Sequence, residues 1–248
     1  MKEYDLNNSI AFRSNGRTYI SGRPWIRISE NAGANWRRVE LDTKELSFIM
    51  NYNSSAFAEL PTGVKLLAVY GRRAEGKKTE PFILISVNGK DWSIYAMFEA
   101  NVLDEVAGIN ETALLALGGK RVLAVGRGEP DGVGLYFSIS EDEGASWSKP
   151  RPLDIPGYPA NLVDSPMGII LTYGYRKPPM GIRVSVLDRE SFEVRSSHTL
   201  TKDAVGRPSD VGYPVTLMVG FPNFITAFYT TGSDGVTHIE TLKWRFDN

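Results

Sequence analysis

The sequence contains no cysteine and only two histidines, and its formal net charge is −1. Without cysteine the fold uses no disulfide framework and no thiolate metal ligands. His198 and His238 lie far apart in the repeat described below, so they do not make up a zinc site. The balanced charge creates no overall field that would attract nucleic acid or anionic lipid. We therefore predict no metal, no cofactor, and neither nucleic acid nor a membrane as a partner.

Long apolar stretches and helical patterns are also missing. No apolar run approaches the roughly 20 residues that span a membrane, and the opening MKEYDLNNSI lacks the apolar core of a secretory signal. Glycine (24 residues), proline (14) and aromatic residues (5 Trp, 11 Tyr, 11 Phe) are abundant instead. We expect residues 1–248 to form a single β-rich domain without a secretory signal, which leaves a cytoplasmic and a virion-associated location open.

Three short segments end on a tryptophan after similar turn-forming residues. They are RISENAGANW (27–36), LISVNGKDW (84–92) and SISEDEGASW (138–147), and their tryptophans stand 56 and 55 residues apart. Asp142 can accept hydrogen bonds from backbone N–H groups within such a turn, and Gly144 can adopt a backbone angle that other residues resist. Trp147 then supplies a large apolar surface for packing between sheets. We predict that these segments are scaffold turns between the third and fourth strands of a repeated unit.

The repeat predicts a β-propeller. Segment 134–140 alternates apolar and polar residues, as a half-buried strand does. Segments 65–71, 168–174 and 224–230 are apolar on both faces, which is typical of a strand whose sheet is covered on both sides. We predict an all-β fold with four-stranded antiparallel blades, five by our count with room for a sixth. The modules are roughly 9–41, 55–98, 111–152, 158–199 and 211–244, with the N-terminal strand in residues 1–6 completing the last blade and closing the ring.

The edge opposite the tryptophan turns collects cationic and phenolic side chains. In an up-and-down blade, the loops that follow strand 2 and precede strand 1 open on this edge. PGYPANL (156–162) and VGYPVTL (211–217) place Tyr158 and Tyr213 there. The arginines that leave strand 2 or begin strand 3 are Arg23, Arg72, Arg73, Arg127, Arg176 and Arg183.

Because guanidinium groups bind carboxylates in a bidentate manner, these residues predict an anion-binding pocket. Asp210, which precedes the second tyrosine segment, is included as a binding residue. The alternative is that the arginines cap strand ends or pair with acidic residues of the same loops. Those acidic residues are Glu75, Glu80, Glu129 and Asp131.

The pattern Ser-x-Asp-x-Gly-x-x-Trp resembles the Asp-box, or BNR repeat, of the sialidase superfamily. The segment GYPVTL (212–217) also looks like the Gly-Tyr-Ser-x-Leu segment that carries the sialidase nucleophile, and KPPMGIRVSVL (177–187) looks like the stretch before one of its carboxylate-binding arginines. The resemblance implies Tyr213 as nucleophile, Arg183 and Arg127 as carboxylate-binding residues, and Glu129 as the base that assists the tyrosine. It leaves Glu75 or Glu80 as the general acid.

The resemblance predicts a sialidase-like glycoside hydrolase that acts on an acidic sugar, using a tyrosine where most glycosidases use a carboxylate. The sequence lacks the Arg-Ile-Pro segment in which sialidases keep an arginine. A non-catalytic propeller that binds anionic glycans, lectin-like or virion-associated, is therefore the alternative prediction.

Overall fold

The structure is a computed structural model that describes residues 4–6, 11–14, 17–20, 25–40, 48–50, 56–72, 78–97, 105–202 and 211–246. The described residues are all β-strand, turn or irregular chain. The strands are β1 (Tyr4–Leu6), β2 (Ala11–Ser14), β3 (Arg17–Ile20), β4 (Trp25–Ile28), β5 (Arg37–Glu40), β6 (Phe48–Met50), β7 (Phe57–Glu59), β8 (Lys65–Arg72), β9 (Glu80–Ser86), β10 (Ser93–Met97), β11 (Gly108–Gly118), β12 (Arg121–Glu129), β13 (Leu135–Ser140), β14 (Arg151–Pro152), β15 (Ala160–Ser165), β16 (Gly168–Tyr175), β17 (Gly181–Leu187), β18 (Val194–Lys202), β19 (Gly212–Gly220), β20 (Asn223–Thr231) and β21 (Thr237–Arg245). No helix long and apolar enough to cross a membrane occurs in this part of the chain.

The strands form the antiparallel sheets of a β-propeller, as the repeat predicts. The third and fourth sheets have four strands each, in the orders β11-β12-β13-β14 and β15-β16-β17-β18. In the second sheet, β6 and β7 both pair with β8, which is followed by β9 and β10. The fifth sheet, β19-β20-β21, and the first sheet, β1-β4-β5, each contain three described strands, and β2 pairs with β3 in a separate hairpin.

The N-terminal strand pairs differently from the prediction. β1 runs antiparallel to β4, with Tyr4 opposite Ile28, instead of pairing with β21. β1 thus lies beside β4 where the second strand of a blade would lie, because the candidate for that place, β3, pairs with β2 instead. Among the described strands, β21 pairs only with β20.

The core consists of apolar layers between consecutive sheets. Leu66 and Ile83 of the second sheet pack with Ile109 and Val122 of the third in one buried cluster. A second cluster joins the third sheet to the fourth and includes Phe192, which takes the place of the tryptophan in the fourth module. Burial of these faces removes apolar surface from water and is the main force that holds the blades side by side.

The fifth sheet departs from the predicted two-sided burial. Phe224 and Phe228 of β20 are buried against the fourth sheet. On the other face, Leu217 and Ile239 are 65% and 70% exposed. Segment 224–230 is therefore covered on one side only by the described residues, although its sequence is typical of a strand covered on both.

The tryptophan turns connect the third and fourth strands of their sheets, as predicted. In the third sheet, Ser140 Oγ accepts a hydrogen bond from Gly144 N at 2.8 Å, and Asp142 Oδ1 accepts one from Ser146 N at 2.8 Å. Gly144 has φ of +88°, and a Cβ there would lie 2.8 Å from a Leu66 methyl group of the neighbouring sheet. Trp147 Nε1 donates to Gly144 O at 3.0 Å.

The same pattern of side chain to backbone hydrogen bonds recurs in the first, second and fourth modules. Asn31 Oδ1 accepts from Asn35 N at 2.8 Å, and Asn88 Oδ1 accepts from Asp91 N at 2.9 Å. In the fourth sheet, backbone N–H groups of Ser191 and Glu190 lower the pKa of Asp188 to about 2. Asp142 and Asp188 thus accept hydrogen bonds from the backbone of their own turns, as a structural role requires.

We expect Asp142→Ala to lower the free energy of unfolding by about 1–2 kcal/mol, because several hydrogen bonds within the turn lose their acceptor. Urea denaturation measures this effect. Lys149→Ala, an exposed change close to the same turn, is the control and should alter stability by less than about 0.5 kcal/mol. Equal stability of the Asp142→Ala variant and the unchanged protein would contradict a scaffold role.

Candidate functional site

Two innermost strands begin with the same backbone distortion. In β11 the pairing with β12 shifts between Asn110 and Ala113, and in β19 the pairing with β20 shifts between Gly212 and Val215. The residues that follow Asn110 and Gly212 are Glu111 and Tyr213, with φ of 42° and 48°. A left-handed backbone costs a residue with a side chain about 1–2 kcal/mol, so two such positions in equivalent places are a strong structural signal.

The two distorted residues contact each other. Tyr213 Oη donates a short hydrogen bond to Glu111 Oε1. The other carboxylate oxygen, Glu111 Oε2, accepts a hydrogen bond from Arg127 Nη1 at 2.7 Å. The Glu111 side chain is 5% exposed and that of Arg127 is 14% exposed. Because a buried carboxylate is tolerated only when it is paired and hydrogen-bonded, Arg127 and Tyr213 together account for the burial of Glu111.

Burial and neighbouring charges determine the protonation of Tyr213 and Arg127. Burial raises the pKa of the Tyr213 phenol, and the negative charge of Glu111 raises it further, more than Arg127 lowers it. Burial lowers the pKa of Arg127, but Glu111, Asp131 and Tyr213 together raise it by more, so the pKa is raised. The phenol is therefore neutral and holds its proton toward a carboxylate, and the guanidinium stays charged.

Aromatic contacts join a second arginine to this group. The guanidinium groups of Arg127 and Arg176 lie 4.8 and 4.2 Å from the centre of the Tyr158 ring. Arg176 Nη2 donates to Tyr229 Oη at 3.1 Å, and the Tyr229 ring lies 5.8 Å from the Tyr213 ring. These contacts form a closed circuit through the third, fourth and fifth sheets. We call its members the rim cluster, which comprises Glu111, Arg127, Tyr158, Arg176, Tyr213 and Tyr229.

The structure brings together four of the predicted site residues, Arg127, Tyr158, Arg176 and Tyr213. The guanidinium carbon of Arg183 lies 3.3 Å from the centre of the Tyr175 ring, and Tyr175 directly precedes Arg176 in the chain. Arg72 lies one sheet earlier, with its Nε 3.4 Å from Thr79 Oγ1. Arg23, Arg73 and Asp210 lie outside the described residues, as does Glu75.

Glu129 is not the carboxylate that contacts Tyr213. Its Oε1 accepts a hydrogen bond from Asn110 Nδ2 at 2.6 Å, and Glu111 takes the place that the sequence assigned to Glu129. The reason is the shift in β11, which turns Glu111 toward Tyr213. Glu80 begins β9 and is 0% exposed, so it presents no accessible surface through which a substrate could reach its carboxyl group.

The alternative prediction, that loop acids neutralise the arginines, holds in part. Arg127 Nη2 forms a short ion pair with Asp131, whose side chain is 67% exposed. No described carboxylate forms an ion pair with Arg183, which contacts an aromatic ring instead.

Sequence reasoning missed Glu111 and Tyr229. The strand pairing of the two modules relates both residues to predicted ones. Gly212 of β19 pairs with Tyr229 of β20, and Asn110 of β11 pairs in the same way with Arg127 of β12. Aligning the modules on these pairs makes Glu111 the counterpart of Tyr213. It also puts Tyr229 where the third module has its arginine. The described residues contain no group of three acidic or histidine side chains that could hold a metal ion.

Comparison with known proteins identifies the fold. No family profile and no curated protein matches the sequence. Among solved structures, a protein of unknown function from Dyadobacter fermentans has a TM-score of 0.77 at 22% identity, over 98% of this chain and 70% of its own. The leech intramolecular trans-sialidase in complex with 2,7-anhydro-Neu5Ac has a TM-score of 0.65 at 15% identity, over 99% of this chain and 42% of its own.

A third similar structure is the α-L-arabinofuranosidase of Fusarium graminearum in complex with arabinobiose. Its TM-score is 0.61 at 15% identity, over 99% of this chain and 85% of its own. At such identities the likeness concerns the propeller fold, which these glycoside-processing enzymes share with the chain.

Proposed function

We propose that this protein is a sialidase-like glycoside hydrolase that acts on a carboxylate-bearing sugar at the rim cluster. The observation that carries the proposal is the chain of contacts from the Tyr213 phenol through the Glu111 carboxylate to the Arg127 guanidinium. A nucleophile, a base within hydrogen-bond reach and a third group that orients the base are the elements of covalent catalysis.

In the first step, Tyr213 Oη bonds to the anomeric carbon, Glu111 takes the phenolic proton, and the bond to the leaving oxygen breaks, so that the leaving group departs as an anion or takes a proton from solvent water. Water then attacks the anomeric carbon and the bond from that carbon to Tyr213 Oη breaks. The phenolic oxygen takes back the proton held by Glu111, and the proton lost by the attacking water goes to solvent, which restores both groups and balances the proton taken up by the leaving group. The raised pKa of the phenol makes this transfer necessary, since Tyr213 does not ionise by itself near neutral pH.

An acidic sugar suits this arrangement for two reasons. The guanidinium groups of Arg127 and Arg176 both lie within 5 Å of the centre of the Tyr158 ring, so two cations are close enough together to attract one carboxylate. A neutral phenol also approaches an anionic sugar without the repulsion that a carboxylate nucleophile would meet. The similarity to a trans-sialidase fold supports the same reading.

Binding of an anionic glycan without cleavage is the second candidate function. One observation favours it: Asp131, an exposed acid that contacts the rim cluster, is held in an ion pair with Arg127. This acid is thus already engaged with a side chain of the site.

An assay with activated glycosides separates the two candidates. An aryl glycoside of N-acetylneuraminic acid has a leaving group that needs no protonation, so the nucleophile and base alone should release it. We expect release of the aryl group from the acidic glycoside and none from the neutral aryl α-L-arabinofuranoside. Binding of N-acetylneuraminic acid without any release would select the non-catalytic function.

Glu111→Gln is expected to slow release of the aryl group about 100-fold, because the amide no longer accepts the phenolic proton. The same assay with Glu129→Gln distinguishes the two glutamates. A large loss of turnover for Glu129→Gln, together with normal turnover for Glu111→Gln, would identify Glu129 as the base. It would contradict the role inferred from the contact between Glu111 and Tyr213.

A further inference from the structure

Arg127 has two acidic partners that differ sharply in exposure. Its Nη1 donates to Glu111, whose side chain is 5% exposed, and its Nη2 pairs with Asp131, whose side chain is 67% exposed. Asp131 lies in the turn between β12 and β13, which is closed by hydrogen bonds from Gly128 N to Gly134 O at 2.8 Å and from Val133 N to Pro130 O at 3.3 Å. The outer side of the guanidinium is thus covered by a surface carboxylate on a short turn.

The two partners also differ in how readily they exchange. Removing Glu111 from Arg127 would leave a carboxylate buried and unpaired, which proteins tolerate poorly. Removing Asp131 returns an exposed carboxylate to water, and such pairs contribute little to stability. Of the two, only Asp131 can therefore give way to an incoming anion.

We infer that Asp131 is the resting occupant of an anion site on Arg127, and that a carboxylate-bearing ligand binds by displacing it. This inference rests on the proposed use of Arg127 to hold the substrate carboxylate. Asp131 competes with the ligand carboxylate for Arg127 and so lowers the affinity for an acidic ligand, whereas a neutral ligand has no carboxylate to exchange and leaves the ion pair in place. Asp131 thus sets the affinity of the site for acidic ligands and takes no part in bond breaking.

Asp131→Asn tests the inference. The substitution keeps the size of the side chain and removes its charge, so the ligand no longer competes with an ion pair. Titration calorimetry should show N-acetylneuraminic acid binding about two- to fivefold more tightly to Asp131→Asn than to the unchanged protein. The uncharged methyl ester of the same sugar should bind both proteins equally.

Asp164→Asn is the matched control. Asp164 forms an ion pair with Arg189 near the β15–β16 turn, at the opposite end of the sheets, so its loss changes the net charge equally without affecting Arg127. Melting curves check that both variants are folded. Unchanged or weaker acid binding by Asp131→Asn, or equal tightening by Asp164→Asn, would overturn the inference.

The outcomes separate this inference from the proposed hydrolysis. Tighter acid binding without glycoside release supports displacement of Asp131 and removes the enzymatic proposal. Release of the acidic glycoside with the same KM in both proteins supports hydrolysis and overturns displacement. Absence of acid binding to either protein overturns the inference, because Arg127 then holds no anion.

Discussion

Tyr213→Phe should reduce release of the aryl group from an acidic glycoside by a factor on the order of 10³ or more, because the variant has no nucleophilic oxygen. The ring should keep its packing beside Tyr229, since the two ring centres lie 5.8 Å apart and this contact does not involve the hydroxyl group that is removed. The protein should therefore remain folded, with a modest loss of stability because Glu111 loses one donor.

Tyr229→Phe is the matched comparison for this variant. It also removes one phenolic oxygen from the rim cluster, the one that accepts a hydrogen bond from Arg176. We expect a much smaller loss of turnover, mainly through KM. Turnover by Tyr213→Phe within tenfold of the unchanged protein would reject Tyr213 as nucleophile.

Arg127→Met should destabilise the protein by about 3–5 kcal/mol, because it leaves the 5% exposed Glu111 carboxylate without its cation. Urea denaturation measures this change and does not depend on any enzymatic activity. Adding Glu111→Gln to Arg127→Met should restore most of the loss, since the charge that needed a partner is gone. The double-mutant cycle therefore yields a large coupling between the two positions.

Arg121→Met is the control for this prediction. Arg121 begins the same strand, and its two ion-pair partners, Glu141 and Glu190, are both exposed. Exposed pairs of this kind contribute about 0–1 kcal/mol. Equal losses for Arg121→Met and Arg127→Met, or no recovery in the double variant, would show that Glu111 and Arg127 do not depend on each other.

The blades and the tryptophan turns were predictable because their signals are local and repeated. Asp142, Gly144 and Trp147 lie within six residues of one another, and the same spacing recurs. The convergence of Arg127, Arg176 and Tyr213 followed from topology, since alternate loops of an up-and-down sheet share an edge. Neither inference required knowledge of any side-chain conformation.

The partner of Tyr213 was not predictable in the same way. Glu111 contacts the phenol where the chain adopts φ of 42°, and although Asn110 precedes it, one asparagine does not by itself predict a left-handed residue within a strand. Glu129 was the more obvious candidate in the sequence because it follows Arg127 by two residues. In the structure its carboxylate accepts a hydrogen bond from Asn110 instead. The pairing of β1 with β4 was missed because three residues carry too little pattern to choose between two strands.

The hydrogen bond between Tyr213 and Glu111 spans two sheets that have the fourth sheet between them. It therefore links strands β11 and β19 directly. Any group attached to the Tyr213 oxygen would replace the phenolic proton and remove this hydrogen bond. Modification of Tyr213 would consequently also remove a contact between the third and fifth sheets.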